Sequence, residues 1–295
     1  MMAPKAVPSF FAVLFLLAAV LSGCQSTPMH QSSKENSTYD RVMQQGKIRC
    51  GYSIYNPGCL KDANTGKLSG IGVDTLEMVG KNLGLDIEWT EEVGWGTMIE
   101  GLQTNRYDMI ATPVWATSDR ARVVDFSKPL FFSPVCAYVK AGNRTFNADN
   151  LKTLNSPKYS IASIDGATAE IIAQEDFPRV KRVSLPQSSD FGQLLLTISS
   201  GKADVTFTEP ADAAVFMKNN PGTIEKIGGP PLRVFPNCWI FRRGQLEFKD
   251  MINTALDQLI NSGAEERIIQ KYEPAPNSLY RVAIPYQPPR GQPSK

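Results

Sequence analysis

Strand and helix patterns alternate along most of this chain, and no other feature constrains its fold as strongly. Short β-rich runs such as 158–163 and 205–207 are each followed by a stretch with helix-forming signals. The clearest helix pattern, over 246–262, places Phe248 and Ile252 on one face. Strands that alternate with helices pack as layers of helices on a sheet. The sequence therefore predicts an α/β fold.

The alternating region is too long for one compact core. It covers about 240 residues, and chains of that size usually divide into separate units. We therefore expect two lobes. Local signals also place two helices: Asp74 is expected to cap one that ends at Gly84, and 95–103 is expected to be helical.

The N-terminal segment has the pattern of an export signal. Lys5 is the only charge before an apolar run of 12 residues over 10–21, which is shorter than the ~20 needed to cross a bilayer. The run ends in Leu-Ser-Gly before Cys24, which resembles a bacterial lipobox; the alternative is an ordinary signal with an incidental cysteine. We expect 1–23 to be a signal peptide and Cys24 to carry lipid at the periplasmic or cell surface. Polar residues 24–37 then form a flexible tether.

Composition excludes several classes of site. The net charge is +2 and no polybasic run occurs, which argues against a nucleic-acid partner. The single histidine, His30, lies in the predicted tether, so no His-based triad or metal site is expected in the folded part, and no cofactor is expected. The other cysteines have no C-x-x-C spacing; in an oxidising compartment they would form one or two disulfides, and all three full pairings stay open. Those cysteines are Cys50, Cys59, Cys136 and Cys238.

Three polar segments follow predicted strands, where open α/β sheets bind ligands. Thr117 and Arg120 open a helix after strand 109–111, and Arg120 could grip a carboxylate with two parallel hydrogen bonds. Thr168 offers a hydroxyl at another strand-to-helix turn, and Glu209 precedes a helix-starting proline and could accept hydrogen bonds from an ammonium group. Each has an ordinary alternative: a surface arginine, a capping turn, and a glutamate favoured by the helix dipole.

Aromatic residues lie in or beside the same loops. Tyr52, Tyr55, Trp95 and Trp115 could together wall an apolar cleft. Packing in the core or at a rim is the alternative for any one of them.

Longer stretches of the chain resemble a known family. They read LSGIGVDTLEMVGKNLGL, GWGTMIEGLQTNRYDMI, ATSDRARVVDFSKPL, SIDGATAE, SSGKADVTFTEPADAAVF and LEFKDMINTALDQLINSGAEERIIQKY. In order and spacing they are similar to the family 3 solute-binding proteins of polar amino-acid ABC transporters, over about 39–272. The resemblance implies a periplasmic-binding-protein-like (type 2) fold, with a ligand cleft between two lobes and two hinge strands.

The resemblance also implies a domain layout. Lobe 1 would comprise 38–134 and 238–273, lobe 2 would comprise 135–237, and 274–295 would be a Pro-rich tail. The hinge would cross near 133–136 and 237–239, which predicts that Cys136 and Cys238 lie close together.

The resemblance further assigns roles to the site residues. Arg120 and the backbone of Thr117 would hold the ligand carboxylate, with Thr168 as a second-lobe contact. Glu209, in place of the usual Asp, would hold the ammonium group. Tyr55 matches the stacking aromatic if one residue is gapped, and Trp115 replaces a ligand-contacting Ser of many members.

These observations favour a binding protein without catalytic residues. We expect it to capture a small amino-acid-like ligand by lobe closure and deliver it to a membrane ABC permease, as a lipid-anchored monomer. One alternative is a dehydratase of the cyclohexadienyl type, with Glu209 as general acid. Another is a ligand-sensing subunit of a signalling system.

Overall fold

The computed structural model describes residues 37–186 and 188–282. The helices are α1 (Thr38–Gln45), α2 (Ile71–Leu83), α3 (Met98–Gln103), α4 (Ser118–Ala121), α5 (Thr168–Asp176), α6 (Phe191–Ser199), α7 (Pro210–Asn219), α8 (Leu246–Asn261) and α9 (Ala264–Tyr272), with a 3-10 turn at Leu151–Leu154. The strands are β1 (Lys47–Tyr52), β2 (Leu60–Lys61), β3 (Leu68–Ser69), β4 (Asp86–Glu92), β5 (Met109–Trp115), β6 (Val124–Phe126), β7 (Phe131–Lys140), β8 (Ser160–Ile164), β9 (Lys181–Leu185), β10 (Val205–Thr208), β11 (Ile224–Lys226), β12 (Arg233–Arg242) and β13 (Tyr280–Arg281). Within these residues, no helix has the length and apolar character to cross a membrane.

Lobe 1 is built on the strand order β4-β1-β5-β12. β1 lies parallel to β4 and β5, whereas β12 returns antiparallel to β5. Helices α2, α8 and α9 pack together beside this sheet and share its core. Trp239 of β12 and Phe248 of α8 are fully buried in that core, so residues from late in the chain complete the lobe.

Lobe 2 is built on the strand order β7-β10-β8-β9. β8 lies parallel to β10 and β9, whereas β7 is antiparallel to β10. Phe177, just after α5, stacks on Phe207 of β10 with ring centroids 5.5 Å apart. The lobe therefore has its own apolar core between its sheet and α5.

Two long strands connect the lobes. Residues 233–237 of β12 pair with 131–135 of β7. Beyond this paired segment β7 continues along β10, and β12 continues along β5. β7 therefore pairs with strands of both lobes, and β12 runs beside it into the sheet of lobe 1. These are the two hinge strands, which confirms the two-lobed α/β prediction. The precise lobe boundaries at 134–135 and 237–238 stay a prediction.

The pairing of β7 with β12 contradicts the predicted proximity of Cys136 and Cys238. Asn237 lies opposite Phe131, so in this antiparallel pair Cys136 and Cys238 lie beyond opposite ends of the paired segment. At about 3.4 Å per residue, six residues separate them by roughly 20 Å, too far for a disulfide. The four cysteines of the described residues are buried free thiols, so the expected disulfides are absent from this part of the chain.

Two helices begin a few residues away from their predicted starts. The N-cap of α2 is Gly70 rather than the predicted Asp74, because Gly70 adopts φ 121° and turns the chain into the helix. A Cβ at Gly70 would lie 2.7 Å from the Gly58 carbonyl oxygen, so only glycine fits. α3 begins at Met98 rather than at the predicted Trp95. The predicted end of α2 at Gly84 is confirmed, and this glycine adopts the left-handed conformation.

The predicted tail is partly ordered by pairing with a hinge strand. Tyr280 of β13 lies opposite Phe132 of β7, and Arg281 forms ion pairs with Glu266 and Glu273. The signal peptide, the tether up to residue 36 and the last 13 residues, 283–295, lie outside the described residues.

Candidate functional site

Glu209 lies where β10 gives way to α7. Thr208 ends the strand, Pro210 is the first helical residue, and Glu209 is the N-cap with extended backbone angles (φ −74°, ψ 142°). Proline suits this first helical position because its missing N–H would have no helical partner. The Glu209 side chain makes no capping hydrogen bond, although it is only 4 % exposed. Its carboxylate is therefore available for contacts outside its own helix.

The Glu209 carboxylate is held by a residue of the other lobe. The Tyr55 hydroxyl lies 2.9 Å from each carboxylate oxygen and donates its hydrogen to them. Tyr55 follows β1 in lobe 1, and Trp95 packs edge-on against its ring at 6.0 Å between centroids. The contact between Tyr55 and Glu209 therefore joins the two lobes across the cleft.

Burial controls the ionisation of this carboxylate. Desolvation raises the pKa of Glu209 to about 7, although the nearby Ser133 and Tyr55 hydroxyls act to lower it. Desolvation also raises the pKa of Asp212, one turn into α7, and the charge of Glu209 raises it further. The pKa of Tyr55 is raised well above 10, mainly by burial. This pair of carboxyl groups would be stabilised by a bound cation.

Arg120 places a positive charge beside Trp115. It lies in α4, a single turn that starts after Thr117, its N-cap. The Arg120 Nη1 group donates to the Trp115 carbonyl oxygen at 3.0 Å, and burial lowers the pKa of the guanidinium. Among the described ion pairs, none involves Arg120. A guanidinium has five N–H donors, so most of its hydrogen-bonding capacity is left for an anion.

Trp115 connects the two charged ends of the site. Its backbone holds Arg120, and its side chain lines a small pocket together with Thr168, the first residue of α5, and Glu209. The Trp115 ring also stacks on Phe235 of β12 at 4.3 Å between centroids. The structure thus brings five predicted residues into one connected set: Tyr55, Trp115, Arg120, Thr168 and Glu209.

The remaining predicted residues lie further out or elsewhere. Trp95 is 45 % exposed and reaches the set only through Tyr55. Thr117 is half-buried beside Arg120. Tyr52 packs against Trp89 instead of joining the cleft aromatics. Cys24 lies outside the described residues.

Three polar residues near Glu209 were not identified from the sequence. Acidic residues are common in the first turn of a helix, so the sequence position of Asp212 does not indicate a site residue. Ser133 and Asn237 are fully buried in the hinge strands, and the Asn237 Nδ2 group donates to Ser133 Oγ at 2.8 Å. Asparagine is uncommon inside strands, and this was the only sequence signal that could have identified Asn237.

This arrangement suits the recognition of a small molecule with an anionic and a cationic group. The Arg120 guanidinium, which has no ion-pair partner among the described residues, can hold a carboxylate, and the buried carboxyl pair can hold an amine. No cluster of three or more metal-binding side chains occurs in the residues that the structure describes.

Comparison with known proteins gives the family. Residues 48–275 match the model of the bacterial extracellular solute-binding proteins, family 3. The L-cystine-binding protein TcyA of Bacillus subtilis is 25 % identical over 91 % of this chain and 97 % of its own length. The "Probable amino-acid ABC transporter-binding protein" of Haemophilus influenzae is 23 % identical over 78 % and 85 % of the two chains.

A solved structure also matches. It is that of the ancestral amino acid-binding protein AncCDT-1, described as a precursor of cyclohexadienyl dehydratase; it has a TM-score of 0.67 and 26 % identity, over 80 % of this chain and 99 % of that one. Since the family model covers most of the chain and the same two-lobed fold is present, this protein belongs to the bacterial extracellular solute-binding proteins, family 3.

Proposed function

We propose that this protein captures an amino acid, or a similar small carboxylate that carries an amine, and delivers it to the membrane permease of an ABC-type importer. The observation that carries this proposal is the buried Glu209 carboxylate, which Tyr55 of the opposite lobe holds beside a small pocket lined by Glu209, Trp115 and Thr168. The ligand would bind between the lobes, and lobe closure would be the signal to the permease.

Charge complementarity selects the ligand class. Arg120, with support from Thr117 and Thr168, would hold the ligand carboxylate, and Glu209 would hold the ammonium group. Burying either ligand charge without a partner is strongly unfavourable, so a closed cleft discriminates against molecules that lack one of them. Trp115, Tyr55 and Trp95 would form the walls around the ligand.

The relatives support this ligand class. The named relatives bind L-cystine, or are components of an amino-acid ABC transporter, and they align over most of the present chain. Their sequence identity is near one quarter, which suits a shared mode of binding with differing side-chain specificity.

A dehydratase is the second candidate, because a buried carboxyl group with a pKa of about 7 suits a general acid. The geometry favours binding. The Tyr55 hydroxyl donates toward both Glu209 oxygens, so the carboxylate acts as an acceptor. A general acid would instead direct its own proton at a substrate. Incubation with prephenate or arogenate should leave both compounds unchanged; their conversion would favour the enzyme.

A thermal-shift screen tests the binding function. The full-length protein is heated with each of the twenty common amino acids and L-cystine, and we expect at least one to raise the midpoint. Arg120→Ala should abolish the shift, whereas Arg122→Ala, an exposed arginine two residues away, should retain it. A screen in which no amino acid stabilises the protein would contradict the proposal.

The proposed location follows from the N-terminal sequence. Cys24 would be the lipidated first residue of the processed chain and would tether a monomer to the membrane at the periplasmic or cell surface. Mass spectrometry of the protein from its native host should find a diacylglyceryl modification on Cys24. An N-terminus elsewhere, without lipid, would contradict the anchor.

A further inference from the structure

The pocket beside Glu209 has mainly apolar walls. It encloses about 270 Å³, which is below the usual size of pockets for drug-sized molecules. Three polar residues line it: Thr168, Thr208 and Glu209. The large apolar side chains of the lining are those of Trp115, Val135, Phe191, Leu194 and Phe207. Beyond the polar groups, the pocket therefore offers a ligand mainly apolar surface.

The charge of this pocket is limited to one side chain. Glu209 is the one charged residue among the described residues that line it. In the proposed mode of binding, Glu209 is already paired with the ligand ammonium group, and Thr168 supports the contact with the ligand carboxylate. A further charge on the ligand side chain would be buried without a partner, which is strongly unfavourable. The pocket therefore disfavours both acidic and basic side chains.

The Trp115 side chain reaches from lobe 1 to lobe 2. Trp115 is the last residue of β5, yet its ring packs against the apolar core of lobe 2. The ring stacks on Phe235, with 4.3 Å between centroids and 9° between ring planes, and Phe235 packs against the same core. The Trp115 ring cannot move aside without losing these contacts. It therefore forms a fixed wall that limits the size of the ligand side chain.

The backbone of Trp115 has a separate role. Its carbonyl oxygen accepts the hydrogen bond from Arg120 Nη1 at 3.0 Å. Every residue carries a backbone carbonyl group, so a substitution at position 115 changes the wall of the pocket and retains this acceptor for Arg120. The size of the pocket and the anchoring of the ligand carboxylate can therefore be varied separately.

We propose that the ligand is an amino acid with a short, uncharged and apolar side chain, and that Trp115 limits the length of that side chain. The inference rests on the proposed function, because it takes the ligand carboxylate and amine to be held by Arg120 and Glu209. The lack of a second charged partner excludes charged side chains, and the stacked Trp115 ring excludes long ones. L-alanine and L-valine belong to this class, whereas L-lysine, L-glutamate and L-phenylalanine do not.

Calorimetry of the full-length protein with these five amino acids tests the inference. L-alanine or L-valine should bind most tightly. L-lysine and L-glutamate should bind at least about 100-fold more weakly, because their side-chain charge loses its hydration without gaining a partner. L-phenylalanine should bind at least about tenfold more weakly, because its ring would overpack a pocket with a fixed wall.

Three variants test the wall itself, after circular dichroism has shown that each is folded. Trp115→Ala should raise the ratio of phenylalanine affinity to alanine affinity by about tenfold or more, because space for the larger ring is created. Phe191→Ala should change this ratio in the same direction, and Phe191 is 39 % exposed, so its loss leaves the core intact. Leu196→Ala is the matched control: Leu196 lies on the same helix, is 55 % exposed and does not line the pocket, so the ratio should stay unchanged.

The outcomes separate this inference from the proposed function. Wild-type protein that binds L-lysine, L-glutamate or L-phenylalanine more tightly than L-alanine and L-valine would overturn the inference and leave amino-acid capture intact. A ratio that is unchanged in both Trp115→Ala and Phe191→Ala would also overturn it. Binding of no amino acid at all would instead contradict the proposed function.

Discussion

Replacing Glu209 with glutamine should stabilise the protein, and should do so only above a certain pH. The structure buries this carboxylate and raises its pKa from 4.5 to about 7, mainly by desolvation. A group that is expensive to ionise in the folded state destabilises that state once the solution pH forces it to ionise. Glutamine keeps an oxygen acceptor for the Tyr55 hydroxyl and carries no charge, so it avoids this penalty.

The size and sign of the effect follow from the same shift. Below pH 4.5 Glu209 is protonated in both states and contributes nothing. Between pH 4.5 and 7 the folded protein binds more protons than the unfolded chain, so its stability falls as the pH rises. Above about pH 7 the loss is complete, and the shift corresponds to about 3 kcal/mol. For a chain of this size that corresponds to a rise of about 6–12 °C in the Tm of Glu209→Gln at pH 8.

Urea unfolding followed by circular dichroism, at intervals from pH 4 to 8.5, measures this difference. The two proteins should be equally stable near pH 4, and the variant should gain steadily up to about pH 7. Glu225→Gln, at an exposed glutamate of lobe 2, controls for the loss of one charge and should show no such rise. A difference that does not change with pH, or a variant that is less stable at pH 8, would refute the reasoning.

Three other predictions concern the anchor, the core and the thiols. In calorimetry, Arg120→Ala should lower the affinity for the amino acid by roughly two to three decades, because the buried ligand carboxylate loses its partner. Arg120→Lys should also bind weakly, because an ammonium group cannot make the two parallel hydrogen bonds of a planar guanidinium. Gly72→Ala should lower the free energy of unfolding in urea by about 1–3 kcal/mol, because its Cβ would lie 2.4 Å from Pro113 Cδ; an unchanged value would show that this contact relaxes freely. Non-reducing peptide mapping should find the four described cysteines as thiols, and a disulfide between Cys136 and Cys238 would contradict the register.

Features set by neighbouring residues in the chain could be predicted from the sequence. α8 begins at Leu246 as expected, and Phe248 and Ile252 are both fully buried on its inner face. The position of Glu209 between a strand and a helix also needs only local signals, a β-rich run and a following proline. Such elements follow from periodicity and capping alone.

Features set by residues distant in the chain could not be predicted. Asp74 looked like a helix cap, but its carboxylate instead accepts hydrogen bonds from Lys271 and Tyr272, almost 200 residues later. The Tyr55–Glu209 contact joins residues 154 positions apart, in different lobes.

The cysteine prediction failed for a similar reason. The resemblance identified the hinge strands that hold Cys136 and Cys238, but it did not specify their register. In an antiparallel pair, neighbouring strands can still hold two residues at opposite ends. Proximity along a strand pair depends on which residues face each other, and sequence patterns leave that undetermined.

The central claim is that an amino acid binds between the lobes with its carboxylate on Arg120 and its amine on Glu209. A crystal structure of the complex with the amino acid found by the screen tests this most directly. We predict a ligand carboxylate oxygen within about 3 Å of the Arg120 guanidinium, and a ligand nitrogen at a similar distance from a Glu209 oxygen. A ligand bound outside the cleft, or one whose carboxylate and amine contact neither residue, would contradict the account.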